Sequence, residues 1–175
     1  MKKIISIGLL FYCNTILAQI DCEKDSAMYS FAYSYIMNES VNINMKIIVS
    51  DSIIDLYSGW FSNDLIDFPE VKERMKQYWL NKNFIPFPPF YSSCIASMFY
   101  IKDTSANSIL FFSPIKDNAL LVEIYSLNRY NPYKRLFNGF VYNEVSRQTT
   151  GQHYLFIFNK DSTIKNVFSH EVIHD

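Results

Sequence analysis

Apolar side chains recur at helical spacing at Met28, Phe31, Ala32, Tyr35 and Ile36, behind a polar Asp25-Ser26 start. The pattern predicts a first helix from about Asp25 to Asn38, with those five residues as its buried face. Met45, Ile47 and Val49 then alternate with Lys46 and Ser50, which predicts a strand with Ile48 half buried. Ile53, Ile54, Leu56 and Tyr57 read as a second short element, broken at Ser58-Gly59. A second helix is predicted from Pro69, whose missing N–H costs nothing in a first turn, with Asp67 as its cap. Val71, Met75, Tyr78 and Trp79 make its apolar stripe, and Glu70 and Arg74 pair on the wet side. It ends at residues 81–83. Pro86, Pro88 and Pro89 stand among Phe84, Phe87, Phe90 and Tyr91, so 84–91 reads as an extended aromatic loop.

The second half reads as strands. They are predicted at 95–101, 109–112, 120–127, 137–142 with a bend at Gly139, and 154–158, followed by a last one through Ile164, Val167 and Phe168. Polar turns separate them at Lys116-Asp117-Asn118 and Asn159-Lys160-Asp161-Ser162. Residues 154–158 are apolar on both faces, as in a central strand. Helices early and strands late make an α+β domain: two helices of the N-terminal half packed on one face of a mostly antiparallel sheet that ends in a meander. No Gly/Ser or proline linker divides the chain, so 19–175 reads as one domain.

Residues 1–18 have a different character. Lys2 and Lys3 precede an apolar run from Ile4 to Leu17, and Ala18 suits the last position before a signal-peptidase cut. The run is shorter than the ~20 residues needed to span a bilayer. The pattern predicts a cleaved bacterial signal peptide and an exported mature chain, periplasmic or extracellular, with no membrane span of its own. Phe11 and Tyr12 before Cys13, and Ile20 and Asp21 before Cys22, are poor contexts for lipid attachment. Of the three cysteines, Cys22 and Cys94 survive cleavage, and an oxidising compartment makes them a predicted disulfide.

Composition narrows the function classes. Half of the chain is hydrophobic (49%) and the formal net charge is −1, which excludes a disordered chain. Loss of Lys2 and Lys3 leaves 14 basic against 17 acidic residues, net −3, so nothing points to nucleic acid. After the leader only Gly59, Gly139 and Gly151 remain, too scattered for a phosphate cradle.

One string matches a catalytic motif. His170-Glu171-Val172-Ile173-His174 has the H-E-x-x-H form in which two histidines on one helical face hold Zn²⁺ and the glutamate activates water. The preceding residues favour a strand, however, and alternate side chains of a strand share a face. His170 and His174 would then point one way and Glu171 the other, so the zinc hydrolase stands as an alternative. His153 would lie diagonal to His170 across a hairpin with a two-residue turn, a weaker route to a shared ion. Asp64 and Asp67 fit helix capping better than acid–base work. Two aromatic groups suit binding instead. The 84–91 loop would stack on sugars, making a carbohydrate-binding module a second alternative. Arg129, Tyr130, Tyr133 and Arg135 lie in one polar loop that would contact a protein or a glycan. The chain therefore reads as a non-catalytic binding or interaction domain, with no cofactor and with the 129–135 loop as its surface.

Overall fold

The computed structural model describes residues 22–39, 44–56, 61–81, 90–99, 105–127 and 150–173. The leader, the 129–135 loop, the 137–142 strand, residues 84–89 of the aromatic loop and His174 lie outside these residues. The elements are α1 (Cys22–Asn38), β1 (Ile47–Ile53), a 3-10 turn (Asp64–Asp67), α2 (Pro69–Asn81), β2 (Phe90–Tyr91), α3 (Ser93–Phe99), β3 (Ser108–Phe112), β4 (Ala119–Ser126), β5 (Gly151–Phe158) and β6 (Ile164–Val172). The strands form one sheet in the order β2-β1-β3-β4-β5-β6. Only the β1–β3 pair is parallel, and β3 to β6 run antiparallel as the meander predicts. The α+β class is as expected.

The helices do not share one face. α1 and α3 cover one side of the sheet, where Met28, Tyr29, Ala32, Ile36 and Ile95 meet Leu110, Phe112, Leu120, Val122 and Phe156. Phe61 and Leu65, with Phe68 and Val71 at the start of α2, cover the other side, against Ile109, Phe111, Leu121, Leu155 and Ile157. β3 is buried along its whole length and β4 along all but its last residue, so each face needs its own cover.

On α1 the buried seam is Met28, Tyr29, Ala32 and Ile36, while Phe31 and Tyr35 are 47% and 36% exposed. The helix is rotated from the expected face because Tyr29 has a specific seat. Its ring meets Phe112 edge-on at 5.1 Å and its hydroxyl donates to the Ser113 carbonyl at 3.1 Å. Burial first, then the Asp25 carboxylate, holds the Tyr29 phenol far above its usual 10.0. A group whose pKa is raised by folding stabilises the fold fully below its unfolded value and loses that contribution as pH rises past it. Tyr29→Phe should therefore cost about 1 kcal/mol at pH 7 and should flatten the fall of melting temperature between pH 9 and 12. A thermal melt series over that range checks both.

Two further expectations are corrected. Residues 95–99 belong to helix α3 and not to a strand. The Ser92 hydroxyl accepts from the Ile95 N–H at 3.3 Å and the Ser92 carbonyl accepts from Ala96 at 3.0 Å, a serine cap that starts the helix. β1 continues through Ser50-Asp51-Ser52 to Ile53, where polar residues suggested a break. Its pairing with β3 is irregular between Val49 and Ile53, and the Ser52 N–H turns to the Ser50 hydroxyl there (3.1 Å). Ser50 is tolerated because its hydroxyl satisfies backbone at the irregularity, and the Ser52 hydroxyl donates to Asp51 Oδ1 at 3.3 Å.

The turns follow the sequence closely. Asp117 and Asn118 have φ of 51° and 62°, the conformation of a two-residue hairpin turn, closed by reciprocal Lys116–Ala119 hydrogen bonds of 3.0 and 2.8 Å. Arg74 lies 3.5 Å from Asp117, where a pair with Glu70 was expected; both groups are half exposed, so the pair adds little. Cys22 and Cys94 are bonded, with Cα atoms 5.6 Å apart, and join the start of α1 to α3.

Candidate functional site

Three neighbouring strands carry a row of ionisable residues on one face. Glu123 of β4 lies directly opposite His153 of β5, which lies directly opposite His170 of β6. Directly opposed residues share a face of the sheet, so these side chains line up across it. Glu123 and His153 are almost wholly buried, at 3% and 2% exposure. Tyr125, two residues along β4 from Glu123, completes the group. Its hydroxyl donates to Glu123 Oε2 at 2.8 Å and lies 3.0 Å from His153 Nε2. A phenol has one proton, so with that proton on the carboxylate side Nε2 carries the hydrogen and donates to the phenol oxygen. This assigns the tautomer from the network. His153 Nδ1 lies 3.9 Å from Glu123 Oε1, on the far side of the ring.

The ring of Tyr125 lies over Gly151, the residue opposite it in register. A Cβ at Gly151 would stand 2.6 and 2.8 Å from two carbons of that ring. Glycine is needed here for the space above it. Gly151→Ala should push Tyr125 off its two partners and destabilise the fold by about 1–3 kcal/mol. Denaturant unfolding gives the loss, and a change in tyrosine fluorescence reports the displaced ring.

His170 belongs to a second polar contact at the sheet edge. Its Nε2 lies 2.6 Å from Asp64 Oδ2, and its ring packs on Phe61 at 4.9 Å. Asp64 thus ties the 3-10 turn to β6 and does not cap a helix; Asn63, at the turn's cap position, makes no side-chain cap bond either. The His153–His170 register also differs from the diagonal one expected. Asn159 N–H bonds the Thr163 carbonyl at 2.8 Å, Ser162 takes φ of 68°, and the pairing slips between Ile157 and Phe158. The longer turn and the slip, one residue each, bring the two histidines directly opposite each other. Each is nevertheless bonded to a group of its own, and they share no ligand.

The H-E-x-x-H string runs through strand β6, which extends to Val172. Glu171 pairs in register with Gln152, next to the His153–His170 pair, and so faces the other side of the sheet from His170. The helical geometry of a zinc hydrolase is not formed by residues 170–172. His174 lies outside the described residues. Among the described residues, no group of three or more histidine, cysteine, aspartate or glutamate side chains is placed to hold a metal ion.

At the end of the sheet where β4 finishes and β5 begins lies an open pocket of about 260 Å³. Met45 and Ile124 give it apolar lining, and Asn107, Ser126, Gln152 and Glu171 are among its polar lining. Tyr125 borders it along β4, while its ring is buried with Glu123 and His153 on the opposite face of the sheet. The segment 128–149, which carries Arg129, Tyr130, Tyr133 and Arg135, leaves the described chain next to Ser126 and rejoins it at Thr150. Both of these residues line the pocket. Of the aromatic loop, Phe90 and Tyr91 are described. They pair with β1 as a short edge strand, with Tyr91 65% exposed. No described helix is long and apolar enough to cross a membrane.

Glu123 was not singled out from the sequence, and His153 was weighed only as a route to an ion shared with His170. The signal available was a carboxylate inside the otherwise apolar run from Ala119 to Tyr125, where a charge is tolerated only with partners. Compared with models of known protein families, with curated proteins and with solved structures, the chain matches none of them.

Proposed function

We propose that the chain is an exported binding domain without catalytic chemistry of its own, and that it engages its ligand or partner at the pocket end of the sheet. The observation that carries this reading is the pocket itself: an open 260 Å³ cleft with Asn107, Ser126, Gln152 and Glu171 among its lining, and with Ser126 and Thr150 bordering the Arg- and Tyr-bearing segment 128–149 in sequence. Export is supported by Lys2, Lys3, the apolar run to Leu17 and Ala18, and by the Cys22–Cys94 bond, which persists in oxidising compartments. Amino-terminal sequencing of the secreted protein should begin at Gln19.

The binding test is an amide NMR screen of the mature chain against small polar metabolites, glycans and peptides. Hits should shift Thr150, Gly151 and Gln152 and remain chemically unchanged. Glycans that shift Phe90 and Tyr91 instead would replace this reading with the carbohydrate one. Turnover of a hit would end the non-catalytic assignment.

A further inference from the structure

We propose that two copies of the chain pair through the outer edge of β6, antiparallel about a twofold axis, and so join their sheets into one. This goes beyond the pocket reading and does not depend on it. β6 is one edge of the sheet, and among the described residues no strand lies beyond it. Its open side follows from the ladder. The Phe158 N–H bonds the Asn118 carbonyl on the β4 side, so Ile157, Leu155, His153 and Gly151 exchange their main-chain bonds with β6. Their partners Asn166, Phe168, His170 and Val172 point these groups inward, and Val167, Ser169 and Glu171 point theirs outward. The Val167 N–H turns to the Asn166 side-chain oxygen at 2.9 Å, a local substitute for a neighbouring strand. An edge left open in this way pairs with another strand unless something blunts it. The pairing slip beside Lys165 guards only the first residues of β6, and the register from Asn166 to Val172 is regular.

Two observations favour a second copy as the occupant. The first is charge. Lys165 stands at one end of the open edge and Glu171 at the other, both exposed. An antiparallel pair centred on Phe168 sets Lys165 of each copy across from Glu171 of the other. It also keeps the two Glu171 carboxylates, and the two His170 rings, apart. In that register Val167 and Ser169 exchange about four main-chain hydrogen bonds between the copies, and Phe168 meets its own counterpart at the axis. The second observation is the cover beside the edge. α1 lies against β6, and Phe31 and Tyr35 stand one turn apart on the α1 flank nearest β5 and β6. The Tyr35 ring meets Phe156 of β5 edge-on at 5.5 Å, while Tyr33, on the opposite flank, faces Phe99 of α3 at 5.1 Å. Both Phe31 and Tyr35 are nevertheless exposed. Pairing about the axis brings the two α1 flanks together on one side of the joined sheet. Their aromatics then supply the apolar centre that paired main chain alone lacks. A twofold contact is isologous, so one surface with an acidic end, a basic end and an aromatic flank serves both copies.

Analytical ultracentrifugation of the mature chain at neutral pH, from about 1 to 200 µM, tests this. The wild type should pass from monomer to dimer across that range. Ser169→Pro removes an N–H that points outward and leaves the bonds to β5 intact, so it should stay monomeric with a melting temperature close to that of the wild type. Phe31→Glu should weaken the dimer about tenfold, because it sets a carboxylate in place of an aromatic on each α1 flank. Lys165→Glu should weaken it about fivefold. Combining Lys165→Glu with Glu171→Lys should restore it, since the acidic and basic ends are then exchanged in both copies. A wild type that stays monomeric at every concentration overturns the proposal. A dimer that Ser169→Pro and Phe31→Glu leave unchanged also overturns it, because that dimer forms elsewhere. Should Ser169→Pro fail to fold, Phe31→Glu, at an exposed helix position, decides alone. Weakening by Lys165→Glu without rescue by the exchange overturns the register about Phe168.

Discussion

Glu123→Leu should lower stability by about 3 kcal/mol, a fall of roughly 6–12 °C in melting temperature for a chain of this size. The carboxylate is buried in the middle of β4, where it accepts from Tyr125 and faces His153. Its removal takes the acceptor from the buried Tyr125 hydroxyl and the facing carboxylate from the buried His153 ring, and an unmet buried polar group costs on the order of 1–3 kcal/mol. The companion variant makes the result informative. Replacing Glu123, Tyr125 and His153 together by leucine, phenylalanine and leucine removes every polar atom of the trio at similar volume. Such whole-network replacements are often neutral or stabilising, so the triple variant should recover most of the loss. Chemical unfolding of the single and the triple variant measures the two outcomes. A triple variant as unstable as Glu123→Leu would mean that the cost lies in packing and not in unmet hydrogen bonds.

The second large effect is expected at the disulfide. Cys22 and Cys94 are 72 residues apart in sequence, and closing a loop of that length removes about 4 kcal/mol of unfolded-chain entropy in the chain-entropy account. Cys22→Ser with Cys94→Ser should therefore melt roughly 8–16 °C lower than the oxidised protein. The loss should be felt first at the α1 and α3 side, because the bond joins those two helices over the same face of the sheet. Hydrogen exchange should show α3, only seven residues long, losing protection before β4 and β5 do. Equal loss of protection in every element would show that α3 is held by its packing and its Ser92 cap, not by the bond.

Elements whose signals are local were legible in the chain. α1 and α2 lie where apolar periodicity and Pro69 placed them, and the Lys116–Asn118 and Asn159–Ser162 turns lie where polar clusters placed them. The disulfide was legible because the leader-like pattern of residues 1–18 predicts export, which leaves Cys22 and Cys94 as a pair. Elements that depend on their neighbours were misread. The stretch after Ser92 is rich in apolar residues that suit strand or helix, and one serine hydroxyl on the Ile95 N–H decides for helix. The rotation of α1 was set by the seat of Tyr29 against Phe112 and Ser113, 83 and 84 positions away. No pattern within the helix encodes that seat.

The candidate site illustrates the same division. By itself the sequence determined an α+β chain with early helices and late strands, a C-terminal segment that would be strand, and hence a Glu171 turned away from His170. These follow from periodicity, a property of neighbours in the chain. Only the tertiary structure decided that Glu123 meets His153 across 30 residues, that Tyr125 lies over Gly151, and that Asp64 reaches His170 across 106. It also decided that helices cover both faces of the sheet and that the end of β4 and the start of β5 frame a pocket. Cross-strand register is the reason. Each extra residue in a turn or a bulge changes which side chains oppose each other, and the 159–163 turn together with the slip between Ile157 and Phe158 did so for the two histidines.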